Sequence, residues 1–108
     1  MKLPANTIIA PRKASEYLLQ KRTDDDKSGF LALAGYTSNH ADKLLRDIRE
    51  QLLPLDAEFH EDTEYGPKYL IRGTLTGPSG RGLRVLTIWM KEDATGQTKF
   101  VTLLPDKS

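Results

Sequence analysis

The chain has 108 residues, 38% hydrophobic and 29% charged, with 16 Lys and Arg against 15 Asp and Glu for a net charge of +1. That length suits a single domain spanning 1–108 and leaves no room for a second, while the absence of cysteine and the presence of only His40 and His60 exclude disulfides and thiolate metal sites, so neither metal nor cofactor is expected. No apolar run approaches the roughly 18 to 20 residues of a membrane span and the N-terminus lacks a secretory pattern, so a cytoplasmic protein with no membrane partner is expected.

Met1 to Ala10 reads as an extended arm whose Ile8 and Ile9 can dock on a core. Pro11 suits the first turn of a helix, because its ring fixes φ and its missing donor is not needed there. Helix one is predicted from about Pro11 to Gln20, burying Ala14, Tyr17, Leu18 and Leu19. KRTDDD is a turn, and Asp24, Asp25 and Asp26 place carboxylates where the free N–H groups of a second helix favour negative charge. That helix is predicted over Lys27 to Ala34, with Gly35 as a left-handed cap. Ser38 opens the third, in which Ala41, Leu44, Leu45, Ile48 and Leu52 recur at helical spacing, and Pro54 ends it.

Asp56, Glu58, Glu61, Asp62 and Glu64 then fall in a window, 55 to 66, without Lys or Arg, which leaves the rest of the chain at +6. An acidic edge strand is predicted from Asp56 to Glu64, with Ala57 and Phe59 inward. Tyr65-Gly66-Pro67 turns into a strand over Lys68 to Thr76, with Tyr69, Ile71 and Leu75 on one face and Lys68, Leu70, Arg72 and Thr74 on the other. Gly77-Pro78-Ser79-Gly80 leads into Leu83 to Met90, and Asp93-Ala94-Thr95-Gly96 joins that strand to Lys99 to Leu104. Three helices followed by consecutive strands on tight turns give α+β: three N-terminal helices packed on one face of a four-stranded antiparallel meander.

The aliphatic set Leu86, Ile88, Met90, Val101 and Leu103 is expected to meet the helices. That facing leaves Lys68, Arg72, Thr74, Thr87, Trp89 and Thr102 on the open face, where cations, hydroxyls and an indole suit a phosphodiester and a stacked base. The histidines lie about twenty residues apart with no nucleophile pattern around them, and the glycine-rich 77–82 precedes a strand and lacks the lysine of a phosphate-binding loop.

The segments KASEYLLQKRTDDDKSGFLALAGY, YLIRGTLTGPSGRGLRVLTIW and FVTLLP resemble the successive signatures of a bacterial domain-of-unknown-function family, number 6883. The resemblance runs through Lys13, Lys27, Phe30, Gly35, Thr87, Trp89, Thr102 and Pro105. At 23–26 this chain carries Thr23-Asp24-Asp25-Asp26 where relatives carry a Gly-rich, Arg-bearing turn. Domains of this kind are similar to small standalone bacterial proteins and to the ends of toxin-like proteins, which implies toxin–antitoxin or conflict biology. Helices followed by a meander also resemble, by fold analogy, the superfamily of barnase, tRNA-cleaving colicins and RelE toxins.

Two functions follow. One is a metal-independent ribonuclease toxin acting on tRNA or mRNA, with Lys27 and Arg72 on phosphate charge, Thr87 and Thr102 on orienting hydrogen bonds, Lys13 or Lys27 as base, and Lys13, Lys68, Thr74 and Trp89 holding RNA. The other is a non-catalytic binding module, an antitoxin or adaptor, that docks on a basic partner protein through the acidic strand. A cognate antitoxin or partner protein is expected in either case.

Overall fold

The computed structural model describes residues 1–19 and 27–107, so the expected turn at 21–26 and the expected last residue of helix one, Gln20, lie outside the described residues. Among those residues the helical pieces come first: Lys13–Leu18 (α1), Lys27–Ala32 (α2), then Ser38–His40, Ala41–Asp47 and Ile48–Leu52, which run on without a break and together are α3. The strands follow as Glu58–Thr63 (β1), Gly66–Thr76 (β2), Gly82–Lys91 (β3) and Thr98–Pro105 (β4), paired antiparallel in that order. The fold is α+β with a four-stranded antiparallel sheet.

Local chemistry explains the helix ends. Gly35, at φ 92°, takes the left-handed conformation that stops α2. At the start of α3, the Thr37 hydroxyl accepts from the Asn39 N–H at 3.4 Å and His40 Nδ1 accepts from the Thr37 N–H at 3.0 Å. His40 is therefore spent on a helix cap. Both α1 and the end of α3 are wound wide: the Leu19 and Leu53 N–H groups donate five residues back, to Ala14 and Ile48. Leu44, Ile48 and Leu52 of α3 are fully buried, and Leu45 packs partly buried at the margin of the core.

The facing predicted for β3 is inverted. Leu83, Val85, Thr87 and Trp89 point into the core beside Ile71 and Leu75 of β2, while Leu86, Ile88 and Met90 lie half-buried on the opposite, open face. The cause is register: Thr76 pairs with Gly82 across the turn, which sets Ile71 opposite Thr87, and residues directly opposite share a face. The indole N–H of Trp89 donates to the Thr87 hydroxyl at 2.7 Å, and that hydroxyl donates to the Ile71 carbonyl at 2.9 Å. A buried tryptophan thus has its polar atom satisfied, and its ring meets Phe100 edge-on at 5.2 Å.

On β4 the pairing steps from Ile88 with Thr102 to Trp89 with Phe100, an irregularity that leaves Val101 as the extra residue. Strict alternation is broken there. Phe100 and Leu103 both end buried, where alternation had set them on opposite faces. A similar shift in β1 between Phe59 and Glu61 leaves Phe59 57% exposed, edge-on to Tyr69, instead of inward.

The N-terminal arm adds a short parallel rung to β4. Ile8 donates to the Thr98 carbonyl at 2.9 Å and accepts from the Phe100 N–H at 2.8 Å, while Arg49 of α3 holds the arm through the Ala5 and Thr7 carbonyls. Ile9 is buried and Ile8 stays exposed. Removing the methyl groups of Ile48 from this packing should cost about 2 to 5 kcal/mol, so Ile48→Ala should lower the denaturant midpoint clearly while Leu45→Ala does less.

Tyr36 and Asp47 make a second buried polar contact. The Tyr36 hydroxyl donates to Asp47 Oδ2 at 2.6 Å, and Lys43 completes the carboxylate's shell at 3.2 Å. Burial first, then the bond to Asp47 and its charge, push the Tyr36 hydroxyl far above the ordinary tyrosine value. The folded state keeps that proton, while the unfolded state loses it above about pH 10, so the stabilisation is complete below about pH 10 and falls as pH rises past it. Tyr36→Phe should therefore flatten the alkaline decline of the unfolding midpoint relative to wild type.

Candidate functional site

Lysine, tyrosine and threonine converge where α1 and the start of α2 meet the margin of β4. Lys13 and Tyr17 lie four residues apart, one helical turn on the same face, so the Lys13 ammonium sits 5.4 Å from the centroid of the Tyr17 ring. Lys27 enters from α2, only 6% exposed, with its ammonium 4.9 Å from the same centroid and donating to the Tyr17 hydroxyl at 3.0 Å. Thr102 donates to that hydroxyl at 3.3 Å from the irregular part of β4. Two ammonium groups, a phenol and an alcohol are thus gathered in one place.

Such a group can hold an anion and move a proton. Ammonium charges favour a phosphate oxygen, and in a site with little water each is worth more than on an open surface. The faces of the Tyr17 ring attract both cations. The cluster unites three of the residues expected from the sequence, Lys13, Lys27 and Thr102. It adds Tyr17, which the sequence had suggested only for burial; the Lys13–Tyr17 helical spacing was the signal that could have found it.

The other expected residues lie elsewhere. Thr87 and Trp89 are fully buried under the sheet, hydrogen-bonded to each other, and in this fold neither reaches a ligand on the open face. Arg72, Lys68 and Thr74 do lie on the open face. Arg72 stands between carboxylates there, 3.6 Å from Glu58 and 3.1 Å from Asp106. Lys68 is paired in register with Glu61 across β1. The residues expected in one patch are distributed over a cluster beside β4, a polar row on the open face and a polar pair in the core. Among the described residues no group of three His, Cys, Asp or Glu is placed to hold a metal ion, and no helix is long and apolar enough to cross a membrane.

Helices ahead of a four-stranded meander, with a basic cluster at the meander's edge, define the class of domain; comparison then gives its family. Residues 2–107 match the domain of unknown function DUF6883, and the chain belongs to that family. A chain of the contact-dependent growth inhibition toxin–immunity protein complex from Klebsiella pneumoniae 342 has a similar fold, with a TM-score of 0.59 at 17% identity over 93% of this chain and 100% of that one. No curated protein matches the sequence.

The core assignment of Thr87 is testable without any substrate. Thr87→Val keeps the shape but removes the acceptor of the Trp89 N–H, and a buried donor left unsatisfied costs about 1 to 3 kcal/mol. Chemical denaturation should show that loss; a variant as stable as wild type would contradict the buried pair.

Proposed function

We propose that this domain is the toxic component of a toxin–immunity type conflict system, a metal-independent ribonuclease whose reacting phosphate sits at Lys13, Tyr17, Lys27 and Thr102. The observation that carries this reading is the gathering of Lys27 and the Thr102 hydroxyl on the Tyr17 phenol oxygen, with half-sheltered Lys13 over the same ring. In the proposed reaction the 2′-oxygen bonds to phosphorus as the bond from phosphorus to the 5′-oxygen breaks, giving a 2′,3′-cyclic phosphate and a 5′-hydroxyl end. The lysines offset the charge that builds on the phosphorane, Thr102 orients a non-bridging oxygen, the Tyr17 phenol protonates the departing 5′-oxygen, and solvent takes the 2′ proton. Lys68, Arg72 and Thr74 contact the flanking backbone on the open face. The fold shared with a chain of a toxin–immunity complex supports the biological setting.

A second reading is favoured by β1, an edge strand whose residues Glu58 to Asp62 are all exposed. Its acidic side chains and unpaired edge suit a basic partner protein, either as the immunity partner of an active toxin or as the whole function of a binding module.

Expression in a bacterial host separates these. The wild type should arrest growth and cleave RNA in vitro. Lys27→Ala and Thr102→Ala should each lower the cleavage rate about a hundredfold or more, with the melting temperature of Thr102→Ala nearly unchanged. Arg72→Ala should leave most of the rate intact. A purified protein that cleaves no RNA, alone or on ribosomes, yet binds a partner through β1 would overturn the ribonuclease and leave the binding module.

A further inference from the structure

Opposite charges stand at opposite edges of the sheet. On the open face, side chains in register form rows across the four strands: Glu61, Lys68, Met90 and Lys99 in one, Glu58, Leu70, Ile88 and Thr102 in the next. Acid therefore lies along β1. Base lies along β4, where Lys13 and Lys99 line a common cleft and Thr102 reaches the lysine cluster. Between the two edges Leu70, Ile88 and Met90, with Leu86 opposite Leu104 in the following row, form an aliphatic stripe on the face away from the helices. Leu86, Ile88, Met90 and Leu104 are each only partly buried there.

Contiguous aliphatic side chains across β2, β3 and β4 mark a face that another surface covers, whereas apolar residues scattered singly do not. The charges choose the occupant. It must bring apolar side chains to the stripe, base to β1 and acid to β4, and a second copy of this chain does all three when turned about a two-fold axis parallel to the strands. In that stacking β1 of each copy lies over β4 of the other and β2 over β3, so that Glu61 meets Lys99, Leu70 meets Ile88 and Glu58 comes over Thr102, each contact occurring twice. The alternative axis, across the strands, sets Glu58 on Glu58 and Lys68 on Arg72. Like charges in contact oppose it. The Lys99 ammonium already donates to Glu92, yet it carries three donors and its side chain is 43% exposed, so it can serve both carboxylates.

We propose that this protein forms a two-fold dimer closed over its open sheet faces, in which the acidic β1 edge of each copy covers the lysine cluster of the other. Carboxylates of Glu58 and Glu61 then stand where the cluster would hold an anion. On the ribonuclease reading the dimer is the resting form, because RNA needs Lys68, Arg72 and Thr74 on the same face and competes with the second copy for it. The dimer itself does not depend on that reading.

Sedimentation velocity of the full chain, without RNA, tests this. The wild type should pass from monomer to dimer between about 1 and 500 µM protein. Ile88→Asp, which places a charge in the stripe and leaves the helix-side core untouched, should stay monomeric throughout, with the melting temperature of the dilute protein nearly unchanged. Glu61→Lys and Lys99→Glu should each weaken the dimer by about tenfold or more when alone. Mixed in equal amounts, the two variants should form a heterodimer, because each then meets an opposite charge at both ends, a rescue that damage to either fold would not give. A wild type that is monomeric at every concentration, a dimer that survives Ile88→Asp, or a mixture that stays monomeric would overturn the proposal. A protein that dimerises in this way but cuts no RNA loses the ribonuclease reading alone, and a monomer that cuts RNA loses the dimer alone.

Discussion

The hydrogen-bonded chain from Trp89 to Thr87 to Ile71 decides which side of the sheet is inside. Trp89 is the largest fully buried side chain, and it can occupy the core only because its N–H finds the Thr87 hydroxyl and that hydroxyl finds a β2 carbonyl. Reversing the facing of β3 would bury Met90, Ile88 and Leu86 and leave the indole wet. Both arrangements bury three apolar side chains of β3, so their number does not choose between them. The polar pair and the Thr76–Gly82 register do.

Once that face is set, the position of the lysine cluster follows. Phe100 must pack edge-on to Trp89, and Leu103 must pair with Thr87, which cannot both hold on a strictly alternating strand. The extra residue at Val101 resolves the conflict, as such irregularities commonly do near functional sites. It also brings the Thr102 hydroxyl to Tyr17, where Lys27 is already donating. The same constraint that builds the core thereby delivers a threonine to the place where two lysines meet a phenol.

Much of this was legible in the sequence. Strand limits came within a residue or two from alternation and turn residues, and Gly35, Pro11 and Pro54 marked helix boundaries for steric reasons that hold in any context. Facing was not legible from β3 alone, because both of its alternating sets are apolar enough to be core. The turn held the missing information: counting pairs back from Thr76 and Gly82 sets Thr87 opposite Ile71, which β2 places inward. The irregularity at Val101 and the role of Tyr17 depend on packing between elements far apart in sequence, α1 and β4, and no local pattern announces such contacts. Lys13 and Lys27 are singled out by resemblance to a family, and Thr102 by strand facing as well, yet their proximity emerges only from the fold.

Membership of DUF6883 and the fold shared with a chain of a toxin–immunity complex frame the proposed chemistry, but the claim on which every later step rests is that Trp89 lies inside. The chain has one tryptophan, so its indole N–H gives one resolved signal. Hydrogen–deuterium exchange of that signal under native conditions measures its burial directly. The structure predicts protection comparable to the slowest core amides, unchanged when RNA is added; exchange within the dead time, or protection that appears only with RNA, would place Trp89 on the open face and contradict the account.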